Sequence, residues 1–117
     1  MKTVLIVDDS SLSRRLIRNI VSKNGYDVVG EAVNGKLGFE MYKKLRPDFV
    51  TMDLIMDEMG GLEALKLIVD EFPDANIIMV SSMGQEVIVR DAIVAGAKNF
   101  ILKPFDESQV LTAIKKL

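Results

Sequence analysis

Short runs of consecutive apolar residues alternate along the chain with longer segments in which apolar residues recur every three or four positions. A run that is apolar at successive positions predicts a strand covered on both faces, because neighbouring side chains of a strand point to opposite sides of the sheet. Five such runs predict strands: VLIV at 4–7, DVVG at 27–30, DFVTM at 48–52, NIIMV at 76–80 and NFIL at 99–102.

The longer segments predict helices, because a spacing of three to four residues places apolar side chains on one helical face. The five apolar stripes extend from Leu12 to Val21, Leu37 to Leu45, Leu62 to Phe72, Ile88 to Ala95 and Val110 to Leu117. They are flanked by residues that commonly begin or end helices: Ser10 and Ser11, Asn24 with Gly25, Pro47, Pro73 and Gly96. Each predicted strand is therefore followed by a predicted helix.

This alternation predicts an α/β fold in which five βα units form an open, doubly wound parallel sheet with helices on both faces. Five units are too few for a closed eightfold barrel. No linker, repeat or low-complexity segment interrupts the 117 residues, so we expect residues 1–117 to form a single domain. Ligands of such sheets bind at the carboxyl ends of the strands, which is where we expect the chemistry.

Composition narrows that chemistry. The chain has a net charge of −2 and no block of Lys and Arg, which argues against a nucleic-acid partner. It contains no Cys and no His, which excludes disulfides, cysteine zinc sites, and histidine as a base or phosphate carrier. Its longest apolar runs are too short for a signal peptide or a membrane span. We therefore expect a cytoplasmic protein with no membrane contact.

The residues at the predicted strand ends are unusual as a set. The first strand is followed by Asp8 and Asp9, the third by Asp53, the fourth by Ser81 and Ser82, and the fifth by Lys103. Three nearby carboxylates repel unless a cation joins them, and an oxygen-only ligand set suits Mg²⁺. A carboxylate beside such an ion, with an ammonium and a hydroxyl, meets the needs of phosphoryl transfer. The alternative is that these residues are turn formers and helix caps; Ser82-x-x-Gln85, for example, fits a capping box.

Together these segments resemble the receiver domain of response regulators, the phosphoacceptor half of two-component signalling. The resemblance covers essentially the whole chain and is carried by VLIVDDS at 4–10, VTMD at 50–53, VSS at 80–82 and AGAKNFILKPF at 95–105. It implies a flavodoxin-like fold with strand order 2-1-3-4-5. It also implies a signalling phosphoacceptor rather than an enzyme, one that catalyses only its own phosphorylation and dephosphorylation.

The resemblance assigns the phosphoacceptor and the metal ligands. Asp53 would accept the phosphoryl group. Asp9 and Asp53 would ligate Mg²⁺, or alternatively Mn²⁺, with Asp8 acting mostly through water. The backbone carbonyl of Ile55, two residues after the acceptor, would complete the protein ligands.

Three further residues receive roles from the same resemblance. Lys103 would pair with the Asp53 carboxylate and later with the phosphoryl group, beside a cis bond to Pro104. Ser81 would donate its hydroxyl to the phosphoryl oxygens on activation. Phe100 would be the aromatic switch residue that turns inward as Ser81 moves.

The loop after the acceptor departs from the family pattern Met-Pro-x-Met-Asp-Gly. Asp57 stands where Pro is common, and Gly60 where an acid is common. Loss of the Pro constraint and gain of a Gly predict a more mobile loop. Asp57 and Glu58 are also expected to add two carboxylates near the metal site.

The chain most resembles stand-alone chemotaxis regulators of this family. The implied partners are a histidine kinase as phosphoryl donor, a downstream target such as the flagellar motor switch, and a phosphatase. The predicted partner surface comprises Val87, Ile88, Phe100 and Val110, because the fourth helix carries more apolar residues than one face can bury. Two alternatives are the receiver fragment of a chemotaxis methylesterase and a pseudo-receiver that binds partners without phosphorylation.

Other chemistries fit the sequence less well. The segment GEAVNGKL at 30–37 nearly matches a P-loop, but Leu37 lacks the hydroxyl that would bind Mg²⁺. A phosphatase with an Asp nucleophile of the haloacid-dehalogenase kind needs a second Asp two residues after the first, where this chain has Ile55. A flavin-binding domain would need aromatic walls, and the chain has no Trp.

Overall fold

Strands and helices alternate throughout the computed structural model, which describes residues 2–117. The strands are β1 (Thr3–Val7), β2 (Asp27–Ala32), β3 (Phe49–Asp53), β4 (Ile77–Ser81) and β5 (Asn99–Leu102). The helices are α1 (Ser11–Lys23), α2 (Gly35–Leu45), α3 (Gly61–Glu71), α4 (Glu86–Val94) and α5 (Glu107–Lys115). The predicted elements are all present; β5 has the predicted bounds, and the bounds of the other strands differ from the prediction by one or two residues.

All strand pairs are parallel, and the sheet order is β2-β1-β3-β4-β5, as the resemblance implies. The predicted doubly wound α/β fold is therefore confirmed. The chain passes from β1 outward to β2 and then returns to the other side of β1 to form β3. The direction of winding thus reverses between β1 and β3, and a crevice is expected outside the carboxyl ends of these two strands.

Two hydrophobic cores cover the two faces of the sheet. One lies under α2, α3 and α4 and includes Val50 and Met52 of β3; the other lies under α1 and α5 and includes Phe49. All five residues of β3 and all five of β4 are buried. This double burial explains the largely apolar runs and places Asp53, the charged residue of β3, at the carboxyl end of its strand.

The helix ends follow the sequence signals in most cases. The Ser10 hydroxyl accepts a hydrogen bond from the Ser13 amide and caps α1, and Gly25 follows that helix with a φ of +89°. The alternative that Ser82 opens a capping box of the fourth helix is not met by the structure. Helix α4 begins only at Glu86, and its N-cap residue, Gln85, makes no side-chain capping bond. Ser82 therefore belongs to the loop between β4 and α4 and not to the helix.

Within residues 2–117, no helix is both long and apolar enough to cross a membrane.

Thr51, in the middle of β3, carries a buried polar group whose contribution to stability can be measured. Its hydroxyl is buried, has no hydrogen-bond partner, and belongs to a residue whose neighbours in the sheet are Ile6 and Ile78. An unpaired buried hydroxyl is destabilising, so Thr51→Val is expected to raise the free energy of unfolding by about 1 kcal/mol. Urea denaturation measures it. The same exchange at the exposed Thr112 controls for loss of a hydroxyl, and equal effects at both sites would contradict the prediction.

Candidate functional site

Four strands bring polar residues to one edge of the sheet. Asp53 and Ser81 are the last residues of β3 and β4, Asp8 and Asp9 follow β1, and Lys103 follows β5. Asp8, Asp53 and Ser81 are buried, whereas Asp9 is exposed. Five of the six residues predicted at the strand ends thus lie at the expected edge, which includes the crevice between β1 and β3; the sixth, Ser82, directly follows β4 and is exposed.

Lys103 connects two of these acids. Its Nζ lies 3.0 Å from Oδ2 of Asp8 and 3.7 Å from Oδ2 of Asp53. The lysine side chain is one fifth exposed, and Asp8 is almost completely buried. Water screens such a buried pair little, so the attraction between the ammonium and the carboxylates is strong. The positive charge of Lys103 thus compensates part of the negative charge of Asp8 and Asp53. Pro104 follows in a cis peptide bond, as expected from the resemblance.

The three carboxylates form a compact group. Asp8, Asp9 and Asp53 each offer one oxygen, and these oxygens lie within 4.8 Å of one another. Hard divalent cations prefer oxygen ligands, so the group is compatible with a divalent metal site. Asp57 and Glu58 do not belong to this group, and the expectation that they add carboxylates near the metal site stays a prediction.

Burial of Asp53 changes its acidity. Loss of solvent raises the pKa of its carboxyl to about 6, and the negative charge of Asp8 adds to this effect. The Lys103 ammonium and a hydrogen bond from the Leu54 amide to Oδ1, 2.9 Å long, act in the opposite direction. Without a metal, the carboxylate is therefore held in an environment that disfavours its charge, and a cation bound here would relieve that cost.

An arginine that the sequence reasoning overlooked holds the β1–α1 turn. Nη1 of Arg14 donates to the backbone carbonyl of Asp8 at 2.7 Å, and its Nε donates at 3.1 Å to Glu31, the last but one residue of β2. Arg18 also binds Glu31. The Asp8 carboxylate itself accepts from the Ser10 amide at 2.9 Å. No local sequence motif identifies Arg14 as a site residue. The sequence offered one indication: Arg14 lies in the first predicted helix, and the acid Glu31 lies near the end of the strand that follows.

Ser81 and Phe100, the predicted switch pair, occupy adjacent strands. The Ser81 hydroxyl is buried and accepts a hydrogen bond of 3.1 Å from the Met83 amide. The Ser81 carbonyl accepts from the Lys103 amide at 2.8 Å, which joins the ends of β4 and β5. Phe100 is half-buried and packs on the face covered by α2, α3 and α4. Their roles in switching stay predictions.

Backbone contacts hold both ends of the loop between β3 and α3. The Gly61 amide donates to the Leu54 carbonyl at 2.8 Å, and the Gly35 amide donates to the Met59 carbonyl at 2.9 Å. Between these anchors Glu58 has a φ of +67°, an uncommon value for a residue with a side chain. The prediction of a mobile loop stays open. Amide exchange rates measured with and without Mg²⁺ would contradict it if the loop exchanged as slowly as the adjacent strand.

The predicted partner surface is only partly exposed. Val87 is 55% exposed, and Ile88 and Phe100 are half-buried. Including Val110 in this surface was wrong, because it is 2% exposed and packs in the core under α1 and α5. Ile55 is 60% exposed by contrast, and the role of its carbonyl as a metal ligand stays a prediction.

The fold and this polar edge define a receiver, and sequence comparison agrees. The model of the response regulator receiver domain family matches residues 4–115, so the chain belongs to that family. It is 51% identical over 116 residues to the chemotaxis protein CheY of Thermotoga maritima, covering 99% of this chain and 97% of the relative. It is 53% identical over 113 residues to CheY of Bacillus subtilis, covering 97% and 94% of the two chains.

A solved structure supports the same assignment. The CheY chain in the crystal structure of the CheX-CheY-BeF3-Mg complex of Borrelia burgdorferi superposes with a TM-score of 0.95 and 35% identity, covering 97% of this chain and 86% of that one. Membership of the receiver family overturns the nucleotide hydrolase, phosphatase and flavin-binding alternatives. Consistent with this, Gly30 of the near P-loop lies inside β2 rather than in a phosphate-binding loop.

Proposed function

We propose that this chain is a single receiver domain spanning residues 1–117 and a phosphorylation-controlled response regulator of chemotaxis. The observation that carries the proposal is the cluster at the sheet edge, in which Lys103 contacts both Asp8 and Asp53 beside a third carboxylate. The similarity to the chemotaxis proteins of Thermotoga maritima and Bacillus subtilis supports the proposed role in chemotaxis. The output is binding of a partner rather than turnover of a substrate.

In the proposed reaction an oxygen of the Asp53 carboxylate attacks phosphorus in a phosphohistidine of a partner kinase. The phosphorus–nitrogen bond breaks, an acyl phosphate forms, and the departing imidazole nitrogen takes up a proton. The donor histidine must come from another protein, because this chain contains none. Lys103, 3.7 Å from Asp53, is placed to move from the carboxylate to the transferred phosphoryl group.

The acidic group fits the metal that this chemistry needs. Asp8, Asp9 and Asp53, with the carbonyl of Ile55, would hold Mg²⁺ or alternatively Mn²⁺. When bound, the ion neutralises charge on the phosphoryl oxygens. Asp8 is kept in place by its hydrogen bonds to Lys103 and to the Ser10 amide, so this carboxylate is pre-positioned for the metal.

Phosphorylation would then change the adjoining loops. A phosphoryl group adds about −1.5 to −2 charges and strong acceptor oxygens, which attract the Ser81 hydroxyl. Movement of Ser81 frees space that Phe100 would fill from the neighbouring strand, reshaping the surface near Val87 and Ile88. The target that reads this surface is proposed to be the flagellar motor switch. A phosphatase is proposed as a further partner, because the Borrelia relative was crystallised with CheX, BeF3 and Mg²⁺.

Intact mass spectrometry tests the function. Incubation with Mg²⁺ and acetyl phosphate is expected to add one phosphoryl group to the native chain and none to Asp53→Asn, because the nucleophile is gone. Asp70→Asn, an exposed carboxylate on α3, serves as the control and is expected to be modified like the native chain. Absence of an adduct on the native chain, under conditions that modify a known receiver, would support the pseudo-receiver alternative instead.

A further inference from the structure

A groove between α3 and α4 lies next to the proposed phosphoacceptor and shares Ile88, but not Val87 or Phe100, with the predicted partner surface. It has a volume of about 290 Å³. Apolar side chains form most of its lining: Leu54, Ile55, Leu62, Met83 and Ile88. Four of these are half-buried and Ile55 is 60% exposed, so their apolar surface is open to solvent. An exposed apolar surface that is bordered by polar residues is typical of an interaction site.

The borders of the groove carry one sign of charge. Glu63 on α3 and Asp91 on α4 line it from opposite sides, and both are exposed. Neither takes part in an ion pair with another residue of the described chain. Glu63 lies in the first turn of its helix, where an acid is favourable, but Asp91 lies in the second half of α4, where it is unfavourable. The helix has no basic residue in its last turn to offset it.

Two residues of the lining are bonded directly to the proposed phosphorylation machinery. The Leu54 amide donates to Oδ1 of Asp53, and the Met83 amide donates to the hydroxyl of Ser81. A change at either acceptor therefore acts directly on the backbone amide of a segment that lines the groove. Conversely, a molecule seated in the groove would restrain both segments.

We propose that this groove binds an amphipathic, cationic helix of a partner protein, with aliphatic side chains on the apolar floor and Lys or Arg between Glu63 and Asp91. The volume accommodates a few aliphatic side chains, and the two acids on opposite borders select for positive charge on both sides of them. Building on the proposed phosphorylation of Asp53, the contacts through Leu54 and Met83 couple groove occupancy to the state of the acceptor. Coupling of this kind is reciprocal, so each event changes the free energy of the other.

The binding test uses a fluorescein-labelled synthetic helix of about 14 residues, with Leu along one face and Lys beside it. Fluorescence anisotropy measures its dissociation constant. Asp91→Lys is expected to weaken binding by roughly tenfold or more, because attraction becomes repulsion. Asp27→Lys makes the same charge change at an exposed residue at the opposite edge of the sheet, and it is expected to alter binding less than about twofold. Equal effects of the two variants, or no binding to the native chain, would overturn the proposal.

The coupling test repeats the titration with Mg²⁺ and beryllofluoride, which stands in for the phosphoryl group. A change in affinity of about fivefold or more is expected, the range usual for coupled sites. If acetyl phosphate modifies Asp53 but beryllofluoride leaves peptide affinity unchanged, the coupling is wrong and the proposed function stands. If the peptide binds and Asp53 cannot be modified, the proposed function fails and the groove remains a binding site.

Discussion

Gly61→Ala is expected to lower the free energy of unfolding by about 3 kcal/mol, the upper end of what overpacking usually costs. Gly61 begins α3, and a Cβ atom there would collide with the backbone carbonyl of Asp53 and lie 3.0 Å from Cα of Leu54. Neither obstacle is a flexible side chain, so relief requires movement of the backbone that carries the acceptor. Urea denaturation with the metal absent measures the loss.

Gly84→Ala is the matched control. A Cβ at Gly84 would approach Cδ1 of Leu102 at 2.7 Å, but Leu102 is 49% exposed and its side chain can rotate away. This substitution is expected to cost less than about 1 kcal/mol. A loss at Gly61 no greater than that at Gly84 would show that the β3–α3 junction is not as tightly packed as the structure indicates.

In the absence of metal, Asp53→Asn is expected to be more stable than the native chain at pH 7.5 by about 2 to 3 kcal/mol. The pKa of Asp53 is raised from 3.8 to about 6 in the folded state, so folding favours the protonated carboxyl. The native chain therefore loses stability as the pH rises from about 4 to about 6, through the interval between the two pKa values. The neutral amide of Asn carries no such penalty.

Denaturation at two pH values checks this prediction. The difference between Asp53→Asn and the native chain is expected to vanish near pH 3.5 and to reach its full size above pH 7. Mg²⁺ should raise the stability of the native chain more than that of the variant, which lacks a ligand carboxylate. Asp70→Asn, on the exposed face of α3, is expected to stay within about 0.5 kcal/mol of the native chain at both pH values. A pH-independent difference at Asp53 would contradict the argument.

The sequence predicted the site's location because the fold leaves few places for polar groups. β3 and β4 are buried along their whole lengths, so a charged group such as that of Asp53 is far less costly where the strand ends than in its interior. Parallel strands place those ends at one edge, which brought Lys103 and Asp8 into the same prediction. The strand order and the individual roles came from family resemblance, since periodicity alone does not order strands.

The features that the sequence did not reveal depend on which way individual side chains and chain segments point in the folded protein. Val110 belongs to an apolar stripe on α5, and periodicity does not say which members of a stripe face the sheet. Arg14 binds the Asp8 carbonyl through a geometry that no spacing rule records. Ser82 matches a capping pattern, yet α4 begins four residues later, because a short motif cannot specify where the chain leaves a strand end.

Lys103 and Asp8 are 95 positions apart in the chain, yet their side chains are 3.0 Å apart. During translation the first acids therefore leave the ribosome many residues before the cation that compensates them, a delay of seconds at the usual rate of synthesis. β5 is an edge strand and follows the other four strands in the sequence. The acidic cluster gains its lysine only when that strand docks, so the charged centre is complete only after all five strands have been synthesised.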